Sequence, residues 1–345
     1  MDKIKRIFTL NALLVIMGQA FAQGPNDSGT YYQQADGKSG KELKTAMAEI
    51  IRPHKQLGYD DLWEAFRSTD KRADGKVWDM YSGATSYTFV SKGSNYKEEG
   101  DCYNREHSMP KSWFDDEYPM YTDLVHLIPA DGYVNGRRSN YPFGENEGER
   151  YKSEGDFSKL GKSTVSGYDG VVFEPNDEYK GDFARIYFYM ATCYEDNISS
   201  WTIIEKNGNQ DNVHKEEYDV FAGNAYPAYT QWTLNLLLRW ADEDPVSQKE
   251  IDRNNAVYDI QGNRNPYVDY PGLEEYVWGD KQDLTFSYED EPTGISIVVP
   301  AKEISVVDVY TIAGIKVRSG VNKAKATEGL DKGIYIIGDK KYVVK

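Results

Sequence analysis

The sequence predicts an α+β protein with a mainly helical domain followed by a small all-β module. Apolar residues recur at helical spacing before residue 288, whereas short β-branched runs between Gly-containing turns follow residue 294. An acidic segment with Pro and Gly separates them. The 345 residues, 39% hydrophobic and 28% charged, suffice for a large core and exclude a membrane bundle. We therefore expect a main domain at 23–287, a linker at 288–294 and a β-module at 295–345.

The first residues predict an export signal. Three basic residues precede an apolar stretch at 8–17, and Ala20 and Ala22 match a small-residue cleavage site. A buried first helix fits less well, because the stretch is short and nothing amphipathic follows it. We expect a signal peptide at 1–22, passage through the periplasm to the exterior or the cell surface, and no membrane span in the mature form.

Helical spacing predicts the scaffold of the main domain. Leu43, Met47 and Ile51 recur every four residues and predict a helix that ends near Pro53. Further helices are expected at 59–66, 183–194 and 231–241.

Two other segments carry local signals. Asp244 can cap another helix, with Pro245 in its first position. Residues 71–103 are rich in Gly, Ser, Asp and aromatic residues, which predicts loops and short strands.

The charge balance counts against a passive nucleic-acid binder. The net charge is −16, whereas binding to phosphates draws its affinity from basic residues. The signal segment and the β-module are both net basic, so the acidity lies in the region 23–287. If this region acts on phosphates, its basic residues must be concentrated at the cleft, and a bound cation must supply part of the field.

Cysteine usage leaves two alternatives open. Cys102 and Cys193 are the only cysteines, so the fold cannot depend on a disulfide framework. One bridge in an oxidising exterior and two buried free thiols both agree with the sequence.

One of the four histidines has a context that suits catalysis. His54 and His214 are expected at the surface. His107 follows Glu106, between a predicted strand and Pro110. Adjacent side chains of an extended segment point to opposite sides, so one can hold a metal while the other faces a water.

The next segments complete a strand–strand–helix pattern. Residues 123–130 predict a half-buried strand containing His126, which we interpret as a core histidine rather than a ligand. Residues 131–140 begin a helix that carries Asn135. With the segment of Glu106 and His107, this is the layout of a ββα-metal finger.

Three runs carry a family resemblance. They are Cys-Tyr-Asn-Arg-Glu-His-Ser-Met-Pro-Lys-Ser-Trp-Phe at 102–114, Asp-Leu-Val-His-Leu-Ile-Pro-Ala at 123–130 and Val-Asn-Gly-Arg-Arg-Ser-Asn-Tyr-Pro-Phe-Gly at 134–144. In this order and spacing they closely resemble the bacterial endonuclease I family, a branch of the His-Me finger nucleases. Further matches at 181–192 and 240–266 extend the resemblance over most of the chain from about residue 31 to 279.

The resemblance implies a division of roles. Glu106 and Asn135 would be the protein ligands of one divalent cation, and His107 would be the general base. One carboxylate and one amide are hard ligands that leave positions for water and a phosphate oxygen, which suits Mg²⁺, with Mn²⁺ or Ca²⁺ as alternatives. The resemblance also places Arg138 among the catalytic residues.

Four more residues are assigned to substrate binding: Arg185, Arg253, Arg264 and Gln261. The arginines match family positions, and a bidentate guanidinium is a natural phosphate ligand. Each arginine could instead be structural, paired with a buried carboxylate such as Glu250. The run at 261–265 could likewise hold the domain together by hydrogen bonds to the backbone.

Two other arginines are assigned no function. Arg105 and Arg137 stand inside the resembling runs, and we expect both to be solvated.

The C-terminal module has its own resemblance. Strands are predicted at 295–299, 304–312, 315–318, 334–337 and 342–344. The runs at 309–317 and 333–336 resemble the C-terminal sorting domains of type IX secretion substrates, which implies the secretion machinery as a partner. A retained surface-binding β-module is the alternative.

Together these features predict a secreted, sequence-nonspecific, metal-dependent endonuclease. Its substrate would be DNA, with RNA as an alternative, and its products would carry 5′-phosphates. Two other classes are a noncatalytic extracellular nucleic-acid or surface-binding protein and another metal-dependent phosphoesterase. The presence of Glu106, His107 and Asn135 favours an enzyme over a binding protein.

Overall fold

The computed structural model describes residues 24–204, 218–289 and most of 306–344. Two compact units are present, Met1–Pro292 and Thr293–Lys345. The predicted signal peptide, the strand at 295–299, His214 and most of the predicted linker lie outside the described residues. No helix within the described ranges has the length and apolar character needed to cross a bilayer.

The first unit contains more helix than strand and fits the predicted α+β class. Its helices are α1 Gly40–Ile51, α2 Leu62–Thr69, α3 Gly132–Arg138, α4 Lys180–Cys193, α5 Gln231–Glu243, α6 Gln248–Gln261, α7 Pro266–Asp269 and α8 Leu273–Val277. The four helices predicted by apolar spacing before residue 244 are confirmed as α1, α2, α4 and α5, with ends that differ by a few residues.

Helix α4 lies in the core of this unit. All 14 of its residues are buried, including the charged Lys180, Asp182 and Arg185. Helices α1 and α5 pack against it. Helix α1 turns the fully buried Leu43 and Met47 inward, because residues four apart lie on one helix face.

Helix α6 begins later than the sequence analysis placed it. Ser247 is its N-cap: the Ser247 hydroxyl accepts the Glu250 N–H, and the Glu250 carboxylate accepts the Ser247 N–H. The prediction of a helix capped by Asp244 is therefore wrong. Asp244 instead accepts the Gly181 N–H at 2.8 Å, because its carboxylate satisfies a backbone donor in the first turn of α4.

Two antiparallel strands lie beside α3. Strand β1, Tyr103–His107, pairs with β2, Leu127–Asp131, so that Glu106 is opposite Ile128. Strand β2 is buried throughout, and residues 124–126 before it form a turn. The prediction of a half-buried strand starting at residue 123 is wrong in both respects, because this strand is covered on both faces.

Helix α3 follows β2 without a loop. Asp131 ends the strand and caps the helix by accepting the Val134 N–H at 2.8 Å. The Asp131 N–H is in turn bound by the carboxylate of Asp79 at 2.9 Å. The predicted order of strand, strand and helix is thus present, with its junction fixed by two carboxylates.

The other strands lie away from this junction. Strands β3 Tyr151–Lys152, β4 Lys159–Lys162 and β5 Val171–Glu174 form an antiparallel sheet in that order. Residues 71–102 form loops with isolated bridges, such as Lys71 with Val77.

In the second unit, strands β6 Val306–Thr311, β7 Lys316–Asn322, β8 Gly333–Ile337 and β9 Lys340–Val344 form one antiparallel sheet in the order β7-β6-β8-β9. Its predicted all-β character is confirmed for the described residues.

The cysteines take one of the two states that the sequence left open. Cys102 and Cys193 are both free and buried. Burial raises the pKa of both thiols above the ordinary value, which keeps them in the unreactive protonated form.

Glu274 on α8 gives the fold a pH dependence. Its carboxyl is buried, and Oε2 has no hydrogen-bond partner within the described residues. Burial raises its pKa from 4.5 to about 7. Because the folded state holds this proton more tightly than the unfolded chain, its ionisation costs stability as the pH rises from 4.5 through 7.

We expect wild-type protein to unfold at a lower temperature at about pH 8 than at about pH 5, with Glu274 as one cause. Glu274→Gln should remove roughly 1 to 3 kcal/mol of that loss. The exposed Glu98 supplies the control Glu98→Gln. An unchanged pH dependence in Glu274→Gln would contradict this assignment.

Candidate active site

A cleft of about 610 Å³ opens beside β1 and α3. Its lining contains Glu106, His107, Asn135 and Arg138, the four residues that the sequence analysis assigned to metal binding and catalysis. The other lining residues are Tyr59, Arg105, Pro110, Lys111, Ser112, Asp115, Asp116, Ser139 and Asn140.

Glu106 is a buried carboxylate held in one orientation. Its Oε1 accepts hydrogen bonds from the Tyr81 hydroxyl at 2.8 Å and from Arg138 Nη1 at 2.7 Å. Burial raises its pKa to about 7, while Arg138 and Tyr81 act in the opposite direction. Burial thus favours the protonated carboxyl of Glu106, whereas nearby positive charge favours its ionised form.

Asn135 lines the same cleft as Glu106 and carries an amide oxygen. Its Nδ2 donates to Asn104 Oδ1 at 2.7 Å, and its side chain acts to lower the pKa of the Glu106 carboxyl. Within the described part of the chain no donor reaches Asn135 Oδ1. The amide oxygen is thus available to a ligand next to a carboxylate.

His107 is a neutral base whose tautomer is fixed. Its Nε2 lies 3.0 Å from the carbonyl oxygen of Tyr121. A carbonyl only accepts, so Nε2 carries the hydrogen and Nδ1 carries the lone pair. Burial, followed by the nearby His126, holds the pKa of His107 well below its ordinary value. Tyr59 stacks on the ring and restricts its orientation.

Arg138 joins β1 to α3. It is fully buried, and its Nη1 donates to both Glu106 and the carbonyl of His107, while Nη2 donates to the carbonyl of Ser108. All three acceptors are groups of the protein rather than of a substrate. The contacts therefore give Arg138 a positioning role for Glu106 and the backbone of His107.

Two of the predicted substrate-binding arginines are paired in the interior. Arg185 binds Glu250 in a bidentate manner, with Nε and Nη2 at 2.6 and 2.9 Å from the two oxygens. Arg264 binds Asp269 in the same manner, with both distances 2.7 Å. Neither lines the cleft.

The other two predicted substrate-binding residues support the turn that precedes β2. Arg253 binds Asp70 at 2.9 Å and donates to three backbone carbonyls of residues 124–127. Gln261 binds Asp123 and accepts the Leu124 N–H. All four residues thus bind groups of the protein itself outside the cleft lining, which favours the structural role that the sequence left as an alternative.

Of Arg105 and Arg137, which were both expected to be solvated, only Arg137 is exposed. The Arg105 side chain is 14% exposed, with Cζ 3.5 Å from the Tyr59 ring and 4.3 Å from the Trp63 ring. The prediction for Arg105 is wrong because aromatic side chains cover its guanidinium. Arg137 is exposed and lies against Tyr133.

The histidines also separate into two outcomes. His126 is a core residue as expected, with Nε2 2.7 Å from the carbonyl of Met120. His54 is not a surface residue: its side chain is 2% exposed and its Nε2 lies 3.9 Å from Asp123. The His54 imidazole is therefore buried beside Asp123.

The sequence reasoning assigned no role to three supporting residues: Tyr81, Asn104 and Tyr121. Asn104 had a usable signal, because residues two apart in a strand share a face and Asn104 precedes Glu106 by two. Tyr81 lies in a loop and Tyr121 in the short 3-10 helix Met120–Thr122, and no apolar periodicity predicts the position of either.

The formal charges of the cleft lining balance, although the chain as a whole is acidic. Arg105, Lys111 and Arg138 face Glu106, Asp115 and Asp116 in its lining. Basic residues are thus enriched here relative to the region as a whole, as expected. Among the described residues, no group of three or more His, Cys, Asp or Glu side chains is arranged to hold a metal.

A carboxylate, an amide oxygen and a neutral imidazole in one cleft are groups with which a hydrolase can cleave phosphoesters. The comparison with known families agrees. The family model described as endonuclease I matches residues 39–272, so the chain belongs to the endonuclease I family.

Several named relatives are nucleases. The extracellular ribonuclease of Bacillus amyloliquefaciens is 36% identical over 259 residues, 73% of this chain and 79% of the relative. Endonuclease-1 of Buchnera aphidicola subsp. Baizongia pistaciae is 29% identical over 147 residues, 43% of this chain and 46% of the relative. The periplasmic deoxyribonuclease of Aeromonas hydrophila is 24% identical over 152 residues, 44% of this chain and 48% of the relative.

The buried pair of Arg185 and Glu250 provides a test of the structural role. Arg185→Met leaves a buried carboxylate unpaired, so we expect a loss of about 3 to 5 kcal/mol in the free energy of unfolding. Replacing both partners, in Arg185→Met with Glu250→Leu, should recover part of this loss. Denaturant unfolding measures both changes.

Arg52→Met is the matched control, because the ion pair of Arg52 with Asp196 is exposed and should contribute less than about 1 kcal/mol. An Arg185→Met protein with wild-type stability and a strongly raised KM would instead indicate a substrate contact.

Proposed function

We propose that the protein is a secreted, sequence-nonspecific, metal-dependent endonuclease that hydrolyses the phosphodiester bonds of DNA and leaves 5′-phosphates. RNA is the second candidate substrate. The observation that carries the proposal is the neutral His107, whose Nε2 is bound by the Tyr121 carbonyl in the cleft that also contains Glu106 and Asn135. Named relatives include both a ribonuclease and deoxyribonucleases, which supports nucleic acid as the substrate class.

The donor set fits a small hard cation. Glu106 and Asn135 line the same cleft, and Asn135 Oδ1 receives no donor from the described residues. One carboxylate and one amide oxygen suit Mg²⁺, with Mn²⁺ or Ca²⁺ as alternatives, and leave positions for oxygen atoms of water and phosphate. When bound, the cation supplies Lewis-acid stabilisation of the negative charge that develops on phosphate oxygens.

The residues of the chain supply the proton transfer and the positioning. His107 Nδ1 takes a proton from a water whose oxygen attacks phosphorus in line with the leaving group. The new P–O bond forms as the bond to the 3′-oxygen breaks, and that oxygen takes a proton from solvent. The phosphate therefore stays on the 5′ side. Tyr81 and Arg138 keep Glu106 oriented throughout.

The proposed location is outside the cell. Relatives named as extracellular or periplasmic nucleases support export. We propose that residues 1–22 are the signal peptide and that residues 295–345 are a sorting domain read by the type IX secretion machinery. The mass of the secreted protein, compared with that of the full chain, tests whether either segment is removed.

His107→Ala tests the mechanism. We expect wild-type protein with Mg²⁺ to convert supercoiled plasmid DNA to open and linear forms, and His107→Ala to be slower by about 10² to 10⁴-fold. A chelator should abolish the wild-type activity. Parallel assays on a structured RNA establish the sugar preference.

The control is His214→Ala, which removes another imidazole and should leave the rate unchanged. A folded wild-type protein that cleaves neither DNA nor RNA would support the noncatalytic alternative. Hydrolysis of simple phosphomonoesters without nuclease activity would support the other phosphoesterase.

Asn104→Ala tests the support of the proposed metal ligand. Because Asn104 orients the Asn135 amide, its loss should raise the Mg²⁺ concentration for half-maximal activity by about 10 to 100-fold. Saturating Mg²⁺ should restore most of the rate. Asn140→Ala, at another position in the cleft lining, is the control. Loss of rate that saturating Mg²⁺ does not restore would contradict this role for Asn104.

A further inference from the structure

A continuous row of cationic and aromatic side chains leads away from the cleft. We call it the cation–aromatic track, and its members in order of contact are Lys92, Trp63, Arg105, Tyr59, Tyr121 and Lys111. Tyr59, Arg105 and Lys111 also line the cleft, so the track begins at the candidate active site.

The spacing along the track is close at every step. Lys92 Nζ lies 5.1 Å from the centre of the Trp63 ring, and Arg105 Cζ lies 4.3 Å from it. Arg105 Cζ lies 3.5 Å from the Tyr59 ring, which is 4.7 Å from the Tyr121 ring. Each aromatic ring thus has a positive group or another ring against it.

The far end of the track is open to solvent. Lys92 is exposed, and Trp63 is half-buried with its edge packed against the buried Tyr103. At the cleft end, Tyr118 is 50% exposed and lies 5.3 Å from Tyr121. A large exposed aromatic residue in this position is available to an incoming planar group.

The basic residues of the track differ in whether a carboxylate neutralises their charge. Arg105 is paired with Asp60, and Lys111 with Asp116, whereas no carboxylate of the described residues forms an ion pair with Lys92. Lys92 therefore places an unneutralised positive charge outside the cleft of a strongly acidic chain. That position suits a phosphate of a strand that extends beyond the reacting bond.

We propose that the cation–aromatic track binds an unpaired nucleic-acid strand next to the scissile phosphate, with bases against the exposed Tyr118 and the solvent-facing part of Trp63, and phosphates beside Lys92 and Lys111. This inference rests on the proposed nuclease function and adds a preference for single-stranded segments. Only an unpaired strand offers free base faces, since a duplex stacks its bases on one another. Stacking on aromatic rings is tolerant of sequence, which agrees with nonspecific cleavage.

Binding measurements in a His107→Ala background test the track without hydrolysis. The probes, with Mg²⁺ present, are labelled oligothymidylate of about twelve nucleotides, a duplex of equal length, and a strand of equal charge whose residues are abasic. We expect oligothymidylate to bind at least about fivefold more tightly than either of the others. Fluorescence anisotropy gives the three dissociation constants.

Two substitutions localise the effect. Trp63→Leu should weaken oligothymidylate binding by about fivefold or more and leave the abasic strand unaffected, because only stacking is lost. Lys92→Gln should weaken both single strands by a few-fold, because a phosphate contact is lost. Lys41→Gln, an exposed position on α1, should change neither. Thermal unfolding checks that Trp63→Leu is folded, and Lys92→Gln tests the track at an exposed site in any case.

The outcomes separate the two proposals. Equal affinity for oligothymidylate and the abasic strand, tighter binding of the duplex, or unchanged affinities in both variants would overturn the track while wild-type cleavage of DNA continues. Absence of nuclease activity in the wild-type protein would overturn the proposed function instead.

Discussion

The hydrogen bonds that Arg138 makes from α3 back to β1 fix the geometry of the candidate site. Glu106 and His107 belong to the strand, and Asn135 belongs to the helix, so their relative positions depend on how these two elements are joined. This single guanidinium donates hydrogen bonds to the Glu106 carboxylate and to the carbonyls of His107 and Ser108. A buried charge is tolerated only when such partners surround it, so the site cannot loosen without exposing an unpaired ion.

Further buried charges hold the elements around this junction. Arg253 fixes the turn before β2 through three backbone carbonyls, and Asp79 holds the backbone where β2 passes into α3. Arg185 ties α4 to α6 through Glu250. The hydrogen bonds named here go to residues outside the cleft lining, and they hold the elements that carry it. Preorganisation of this kind is what an active site needs if its groups are to act without rearrangement.

The sequence predicted those features that depend on local pattern. Helix α1 follows from the spacing of Leu43 and Met47, and the cleft residues Glu106 and Asn135 follow from the family resemblance. Long-range pairing was not accessible in the same way: nothing local distinguishes an arginine that binds Glu250 from one that binds a phosphate. The start of α6 was misplaced because Asp244 and Ser247 are both good caps, and only the contact of Asp244 with Gly181 decides between them. Arg105 was misjudged because its aromatic neighbours, Tyr59 and Trp63, are distant in sequence.

The balanced formal charges of the cleft lining within an acidic chain bear on how the protein would work among excess polymer. A basic nuclease adheres along any polyanion, so most of its contacts are unproductive and slow its search. Here the net charge of −16 opposes the long-range attraction of a polyanion to the chain as a whole, so excess polymer would sequester less of the protein. Each cut also adds charge to a strand end, which favours departure of the product. The charge distribution thus suits a catalyst that is released after each cut rather than one that remains bound to its polymer.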